Sequence, residues 1–114
     1  MALAEIELAR IKKYVGSFCA RRSPIHIRDK LSLEYLIKNQ DVLIYERRPK
    51  WNDPTSTTES SVAKLRYVRK SNEWKLYWQR ANMKWYAYEP FPSSNDLEKI
   101  VDVIDQDKYG CFFG

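Results

Sequence analysis

The chain has few of the residues on which many enzymes and small secreted domains depend. It contains three glycines, two cysteines and one histidine among 114 residues. Three glycines are too few for a phosphate-cradling loop, and no nucleotide-binding, zinc-protease or serine-hydrolase motif occurs. Two cysteines and one histidine are too few for a zinc site. We therefore expect no cofactor, no metal and no catalytic residue that a motif could identify.

Long apolar runs are also missing. No stretch approaches the roughly 18 residues that a membrane-spanning helix needs. The N-terminus lacks the basic start and the uninterrupted apolar block of a secretory signal. These absences predict a cytoplasmic protein with no membrane partner. In that reducing compartment Cys19 and Cys111 are expected to be free thiols, and a disulfide between them is the alternative.

The residues that are present favour a folded, basic domain. The composition is 44% hydrophobic and 14% aromatic, which is too rich in core-forming residues for a disordered chain. The net charge of +5 is unevenly distributed, because residues 92–114 carry −3 and the rest of the chain carries +8. A basic body is compatible with binding a polyanion, although the same bias also occurs on surfaces that only confer solubility.

Two segments have the periodicity of amphipathic helices. The first ends before Pro24, and the second is expected to be capped by Ser93 or Ser94, with Asp96 in its first turn, and to end at Gly110. The apolar stripes consist of Leu3, Ala4, Leu8, Ile11, Val15 and Phe18 in the first helix, and of Leu97, Ile100, Val101 and Ile104 in the second. Each helix has a single stripe, so each is expected to pack on a sheet.

Between the helices, alternation with period two predicts five strands. Residues 31–38 and 41–48 form a hairpin that pairs Ile37 with Val42, Tyr35 with Ile44 and Leu33 with Glu46. Residues 62–70 and 73–80 form a second hairpin about Ser71 and Asn72, which pairs Leu65 with Trp78, Tyr67 with Leu76 and Arg69 with Trp74. The fifth strand, residues 84–89, follows either a two-residue turn that buries Trp85 and Ala87 or a three-residue turn that buries Tyr86 and Tyr88. The clustered Trp74, Trp78 and Trp85 are expected to belong mostly to the core.

The segment between the hairpins, residues 49–61, is interpreted as a mobile loop with Trp51 as an anchor, because it combines proline with small polar residues. Residues 1–114 are thus expected to form one α+β domain. It has an N-terminal helix, a five-stranded, mainly antiparallel meander and a C-terminal helix, with both helices on one sheet face.

The opposite sheet face carries the strongest functional pattern. Cations interleaved with an aromatic ring suit single-stranded nucleic acid, because cations neutralise phosphates and a flat ring stacks on bases. The predicted site consists of Arg47, Lys64, Arg66, Lys75, Tyr77 and Gln79, with Tyr45 beside them and with Arg80 and Lys84 at the edge. The same composition is also common on exposed sheet faces without a ligand.

Two further hypotheses remain open. The protein could be an interaction module, a homodimer or an accessory subunit, whose aromatic face meets another chain. It could also be a metal-dependent nuclease that uses Glu73 and Lys75 with a carboxylate from Glu34 or Glu46. A nucleophilic pair of a cysteine with His26 is formally available, but neither cysteine has an activating environment in the sequence.

Five segments together resemble the bacterial domain-of-unknown-function family 3024. They are residues 45–51 (YERRPKW), 63–68 (AKLRYV), 74–80 (WKLYWQR), 84–90 (KWYAYEP) and 110–114 (GCFFG). The resemblance covers nearly the whole chain and implies a small stand-alone bacterial protein. The family has no assigned activity, cofactor or partner, so the resemblance implies no catalytic residues. Tyr86 departs from the family pattern, because a histidine often follows the Lys-Trp pair.

Overall fold

The computed structural model describes residues 3–24, 31–50 and 52–113, without the side chain of Pro54. Within these residues the chain forms helices at both ends of an antiparallel sheet. The helical elements are α1 (Glu5–Ile11), a π-helical turn (Lys12–Gly16), α2 (Ser17–Arg21) and α3 (Leu97–Gln106). The strands are β1 (Ser32–Lys38), β2 (Asp41–Lys50), β3 (Asp53–Val68), β4 (Glu73–Gln79), β5 (Trp85–Ala87) and β6 (Ser93–Ser94).

The N-terminal helical segment packs through Ile11, Val15 and Phe18, as its stripe predicts. The expectations for Ala4 and Leu8 were wrong, because both residues are exposed and Glu7 is buried instead. The buried residues follow a four-residue spacing, which drifts around an α-helix of 3.6 residues per turn. The wider π-helical turn compensates for this drift and brings Val15 under the same face as Ile11.

Glu7 can be buried because its carboxylate has partners. It accepts a hydrogen bond from the Ala4 backbone N–H at 3.0 Å and forms an ion pair with Arg69 at 3.4 Å. Since Arg69 follows β3, this contact joins the start of α1 to the β3–β4 connection.

The first hairpin has the predicted register. Ile37 faces Val42 and Tyr35 faces Ile44 across β1 and β2. Asn39 adopts a positive φ of 56° in the turn, so this residue supplies the left-handed conformation for which glycine is the usual choice.

The prediction of a loop over residues 49–61 was wrong, because β3 begins at Asp53 and pairs with β2 as far as Lys50, the last residue of β2. Three β-branched threonines in this segment are compatible with a strand, and the pairing with β2 supplies the backbone hydrogen bonds that the strand needs. The Asp53 carboxylate accepts hydrogen bonds from Thr55 and Ser56 and so organises the entry into β3. Among the described residues, β1 pairs with β2 as far as Arg47, and Pro49 lies beyond that pairing, near the end of β2. Trp51, the predicted anchor, lies outside the described residues.

The second hairpin is shifted by two residues from the prediction. Leu65 faces Leu76 and Tyr67 faces Trp74, so four residues rather than two connect β3 to β4. Asn72 closes this connection with a positive φ of 53° and accepts a hydrogen bond from the Tyr67 hydroxyl at 2.5 Å. An even shift leaves every side chain on its predicted face.

The fifth strand adopts the second of the two predicted orientations. Tyr86 faces Trp78 across β4 and β5, and Tyr88 is only 2% exposed. Trp85 therefore points away from the core. The connection from β4 to β5 runs over residues 80–84 and is longer than either predicted turn. The proline-rich stretch after β5 does not end the sheet, since β6 returns to pair with Trp74 and Lys75.

The C-terminal helix α3 buries Leu97, Ile100, Val101 and Ile104, as predicted. Both of its predicted ends were wrong. Asp96 is the N-cap and accepts a hydrogen bond from the Glu98 backbone N–H, while Asp107, with φ of 43°, provides the left-handed terminus expected of Gly110. The Asp107 carboxylate then accepts hydrogen bonds from the Phe112 and Phe113 backbone N–H groups, which holds the C-terminal segment against the core.

Both helical ends cover the same face of the sheet, and their buried residues form one cluster with Leu33, Ile44, Leu65 and Leu76. Arg22 at the end of α2 joins the helices, because its guanidinium donates to the Asp105 carboxylate at 2.9 Å and to the Asp105 carbonyl at 2.8 Å. The predicted α+β class is therefore confirmed. None of the described helices covers the strand residues of the other parity.

Candidate nucleic-acid interface

The uncovered side of the sheet is called here the open face. It is formed by the strand residues that alternate with the core residues, which include Glu34, Leu36, Lys38, Asp41, Leu43, Tyr45, Arg47, Glu59, Lys64, Arg66, Glu73, Lys75, Tyr77, Gln79 and Trp85. Their side chains point to one side because consecutive residues of a strand point to opposite faces. The predicted cations and rings at positions 45, 47, 64, 66, 75 and 77 thus lie on one surface.

Two of the predicted cations are neutralised within this surface. Arg66 donates two hydrogen bonds to the Asp41 carboxylate, at 2.8 and 3.1 Å. Arg47 forms ion pairs with Glu34 at 3.1 Å and with Glu59 at 3.4 Å. Hydrogen bonding to Asp41 raises the pKa of Arg66, and the charge of Glu34 raises the pKa of Arg47. Both guanidiniums are therefore held by this chain's own carboxylates.

Lys64 has a different environment. Its Nζ lies 5.1 Å from the centroid of the Tyr77 ring and 5.2 Å from the centroid of the Trp85 ring. Burial is the main cause that lowers the pKa of Lys64, and the positive charge of Arg66 lowers it further, although Asp41 acts in the opposite direction. No carboxylate of the described residues lies within ion-pair distance of Lys64 or Lys75.

Gln79 and the predicted edge residues, Arg80 and Lys84, are placed separately. Gln79 ends β4, and its side-chain amide donates a hydrogen bond to the Met83 carbonyl at 3.0 Å, so it is held to the β4–β5 connection. Lys84 is exposed in that connection. Arg80 turns to the covered side of the sheet, with its guanidinium carbon 5.2 Å from the Trp78 centroid and 4.8 Å from the Tyr86 centroid. The structure thus brings Lys64, Lys75 and Tyr77 together and leaves Arg80 apart from them.

Trp85 is the residue of this surface that the sequence-based assignment missed. It was expected to belong mostly to the core with Trp74 and Trp78, whereas Trp74 alone of the three is fully buried. The alternative orientation that buries Tyr86 and Tyr88 already implied an outward Trp85. The open face therefore presents two neighbouring aromatic rings, Tyr77 and Trp85, beside a lysine.

The nuclease hypothesis needs carboxylates that converge. Glu34 lies on the open face with Arg47, whereas Glu46 lies on the other parity and pairs with Arg48 at 3.0 Å. Across residues 3–24, 31–50 and 52–113 there is no group of three or more histidine, cysteine or acidic side chains that could hold a metal ion. The described geometry therefore offers this hypothesis no support.

His26, the histidine of the predicted nucleophilic pair, lies outside the described residues. Cys19 and Cys111 are free thiols, and burial raises the pKa of Cys19 to about 12. Burial is also the main cause that raises the pKa of Cys111. Both thiols are therefore protonated at neutral pH and are weak nucleophiles.

The helices in the described part of the chain are too short or too polar to cross a membrane. No curated protein matches the chain, and no solved structure matches it. The family model described as "Domain of unknown function (DUF3024)" matches residues 3–114. That match includes the strands of the open face and the C-terminal Cys-Phe-Phe segment on which the resemblance rested. The chain therefore belongs to the DUF3024 family.

Proposed function

We propose that the protein binds single-stranded nucleic acid through the β3–β4–β5 part of its open face. The observation that carries the proposal is the group of Lys64, Tyr77 and Trp85, in which one ammonium lies just over 5 Å from two aromatic centroids. Two neighbouring rings on a sheet can each stack on an unpaired base, and the adjacent lysines can reach the phosphates between those bases.

The free energies of the two contacts favour replacement of the Lys64 ammonium by a base on the rings of Tyr77 and Trp85. A cation–π contact of a partly buried lysine is worth between about 0.5 and 2 kcal/mol. Stacking of a base on an aromatic side chain is worth about 1–3 kcal/mol. Lys64 has a flexible four-carbon stem, so its ammonium can leave the rings and move to a phosphate without a change in the backbone. Base stacking thus replaces a weaker contact with a stronger one.

Charge also favours this part of the face. Lys75 and Lys64 have no carboxylate partner among the described residues, whereas Arg47 and Arg66 are already paired. A phosphate gains most from a cation whose charge is not neutralised by the protein. Arg66 would contribute less, because a phosphate must compete with Asp41 for its guanidinium. The proposal includes a cytoplasmic location, which is in keeping with two free thiols.

The test is a binding assay with single-stranded and duplex oligonucleotides at several salt concentrations. Lys75→Ala should weaken binding to most sequences and reduce the salt slope by about 1. The matched control is Lys99→Ala, which removes the same charge from an exposed position on α3. Wild-type affinity no tighter than about 10⁻⁴ M, or equal effects of the two variants, would contradict the proposal.

An interaction module is the second candidate function, and Leu36 is the observation that favours it. Its side chain is 52% exposed on the open face, where it faces Leu43 across β1 and β2. A second chain that covers this pair would bury apolar surface that now contacts water. A stable homodimer is expected to bury more than about 1,000 Å². Sedimentation analysis would detect such a dimer by its mass and so distinguishes it from a monomer. A monomer at micromolar concentration would favour the nucleic-acid proposal.

A further inference from the structure

A cavity of about 380 Å³ lies at the edge of the sheet, on the covered side of β5. Its lining includes Trp78, Arg80, Tyr86, Tyr88, Glu89 and Tyr109. This volume is within the range of about 300–1,000 Å³ that is usual for small-molecule sites. Because β5 is the last strand of the continuous sheet, the cavity and the open face are separated only by that strand. This cavity is called the β5 pocket below.

The environment of Arg80 suits the binding of an anion. Its guanidinium lies against Trp78 and Tyr86, at 5.2 and 4.8 Å from their centroids, so two rings hold its orientation. No carboxylate of the described residues lies within ion-pair distance of it. A planar guanidinium can donate two parallel hydrogen bonds to a phosphate, and it loses less freedom when its orientation is already fixed.

The rest of the pocket suits a flat ring with an amino group. Tyr88 is only 2% exposed and packs on Phe112, with centroids 4.9 Å apart, so it closes the inner end of the pocket. Tyr109 also lines the pocket and is 61% exposed, so its ring is accessible to a ligand. The Glu89 carboxylate in the lining can accept a hydrogen bond from an exocyclic amino group, as acidic side chains do with cytosine. The same carboxylate repels a phosphate, so the phosphate must bind at the Arg80 end.

We infer that the β5 pocket binds one nucleotide, with its phosphate on Arg80, its base on the exposed ring of Tyr109 and the amino edge of the base on Glu89. The strand-end form of this inference rests on the proposed function, since a strand that crosses Trp85 on the open face would reach Tyr86 by passing over the edge of β5. The nucleotide is either the end of that strand or a free mononucleotide, which present the same chemistry to the pocket.

The test is an NMR titration that follows the indole N–H signals of Trp78 and Trp85. They report the β5 pocket and the open face separately, because the two residues lie on opposite faces of the sheet. The probes are adenosine 5′-monophosphate, uridine 5′-monophosphate, adenosine, and short single strands with and without a terminal phosphate. Adenosine 5′-monophosphate is expected to shift Trp78, and adenosine is expected to bind roughly tenfold more weakly because it lacks the charged acceptor. Uridine 5′-monophosphate should also bind more weakly, since uracil has no exocyclic amino group.

The decisive variant is Arg80→Gln, which should weaken adenosine 5′-monophosphate binding roughly tenfold or more. Arg48→Gln is the matched control, because Arg48 is exposed on β2 and pairs with Glu46. Tyr109→Ser is a second variant at an exposed position and should also weaken binding. Circular dichroism and the melting temperature verify that each variant is folded.

Several outcomes decide the inference. If phosphorylated strands shift Trp78 at lower concentration than the mononucleotide, the ligand is a strand end; if only the mononucleotide shifts it, the ligand is a free nucleotide. No shift of Trp78 with any probe at millimolar concentration, or equal binding by the Arg80→Gln variant, would overturn the inference. With single strands, shifts of Trp85 alone would overturn the inference about the β5 pocket and leave the proposed function intact. Shifts of Trp78 alone would contradict the proposed function and leave the inference intact.

Discussion

The covered and open faces of the sheet are built from the same strands, but the covered face buries apolar side chains and the open face exposes charged ones. On the covered face, Leu65 and Leu76 face each other and are completely buried under the helices. On the open face, the neighbouring pair Arg66 and Lys75 remains in contact with solvent, and only the arginine has a carboxylate partner.

Because of this difference, we expect the covered face to determine stability and the open face to determine binding. Apolar burial is worth about 1.5–3 kcal/mol for a whole aliphatic side chain, whereas an exposed ion pair is worth about 0–1 kcal/mol. Substitutions on the covered face should therefore act on the free energy of unfolding. Substitutions on the open face should change binding and leave the fold nearly unaffected.

The largest effect is expected from Leu76→Ala. It removes a fully buried side chain from β4 and should lower the free energy of unfolding by about 2–5 kcal/mol, measured by urea denaturation. Leu36→Ala is the matched control on the open face and should change stability by no more than about 0.5 kcal/mol. Similar losses for both variants would contradict the distinction between the faces and would favour a second chain on Leu36.

The next effect concerns the two rings of the open face. Tyr77→Ala and Trp85→Ala should each weaken binding to single strands by about 1–3 kcal/mol, measured by fluorescence anisotropy of a labelled oligonucleotide. Binding to duplex should change little, because paired bases cannot stack on these rings. Equal losses on duplex and single strands would show that the substitutions act through the fold or the charge and not through stacking.

A smaller effect is expected from Asp41→Asn, which releases Arg66 from its two hydrogen bonds. The free energy of unfolding should fall by about 0.2–1 kcal/mol, as for other exposed ion pairs. Binding to single strands should strengthen by a similar amount, because the guanidinium becomes available to phosphate. Asp102→Asn removes the same charge from an exposed position on α3 and should leave binding nearly unchanged. Equal strengthening by both variants would indicate a general effect of net charge.

The smallest effect is a pH dependence that arises from Lys64, whose pKa is lowered chiefly by burial. Its positive charge is fully present below that pKa and is lost as the pH rises through it. Binding should therefore begin to weaken at a lower pH than an unperturbed lysine would give, and the salt slope should fall with it. Lys64→Arg keeps its charge throughout and should remove this weakening. A pH profile that is unchanged by the substitution would contradict the role of Lys64.

Several structural features were predictable because they depend on local patterns. The buried stripe of α3 follows from its helical spacing, and the register of β1 and β2 follows from a short turn. The length of β3 was not predicted, since a run of threonines and serines is compatible with either a loop or a strand. Only the pairing partner β2 decides between the two, because it supplies the backbone hydrogen bonds that a strand needs.

For the candidate site, the sequence predicted its cations and its tyrosine but not their partners. Asp41 and Arg66 are 25 residues apart in the chain and meet because β2 lies beside β3. Trp85 was missed since its direction depends on the connection from β4 to β5, where Met83 adopts a positive φ of 67° that its residue type does not suggest.

The sequence by itself determined which residues of β1, β2 and β4 face the helices, because side chains alternate with a period of two and apolar residues mark one parity. It left both orientations of β5 open. The register of β3 and β4 shows why this result is robust. A shift by two residues changes every cross-strand neighbour but moves no side chain to the other face. Only the tertiary structure decided which residues are cross-strand neighbours, since neighbours depend on register and on connection length. It therefore also decided which cations are paired, because carboxylates from distant strands pair with Arg66 but not with Lys75.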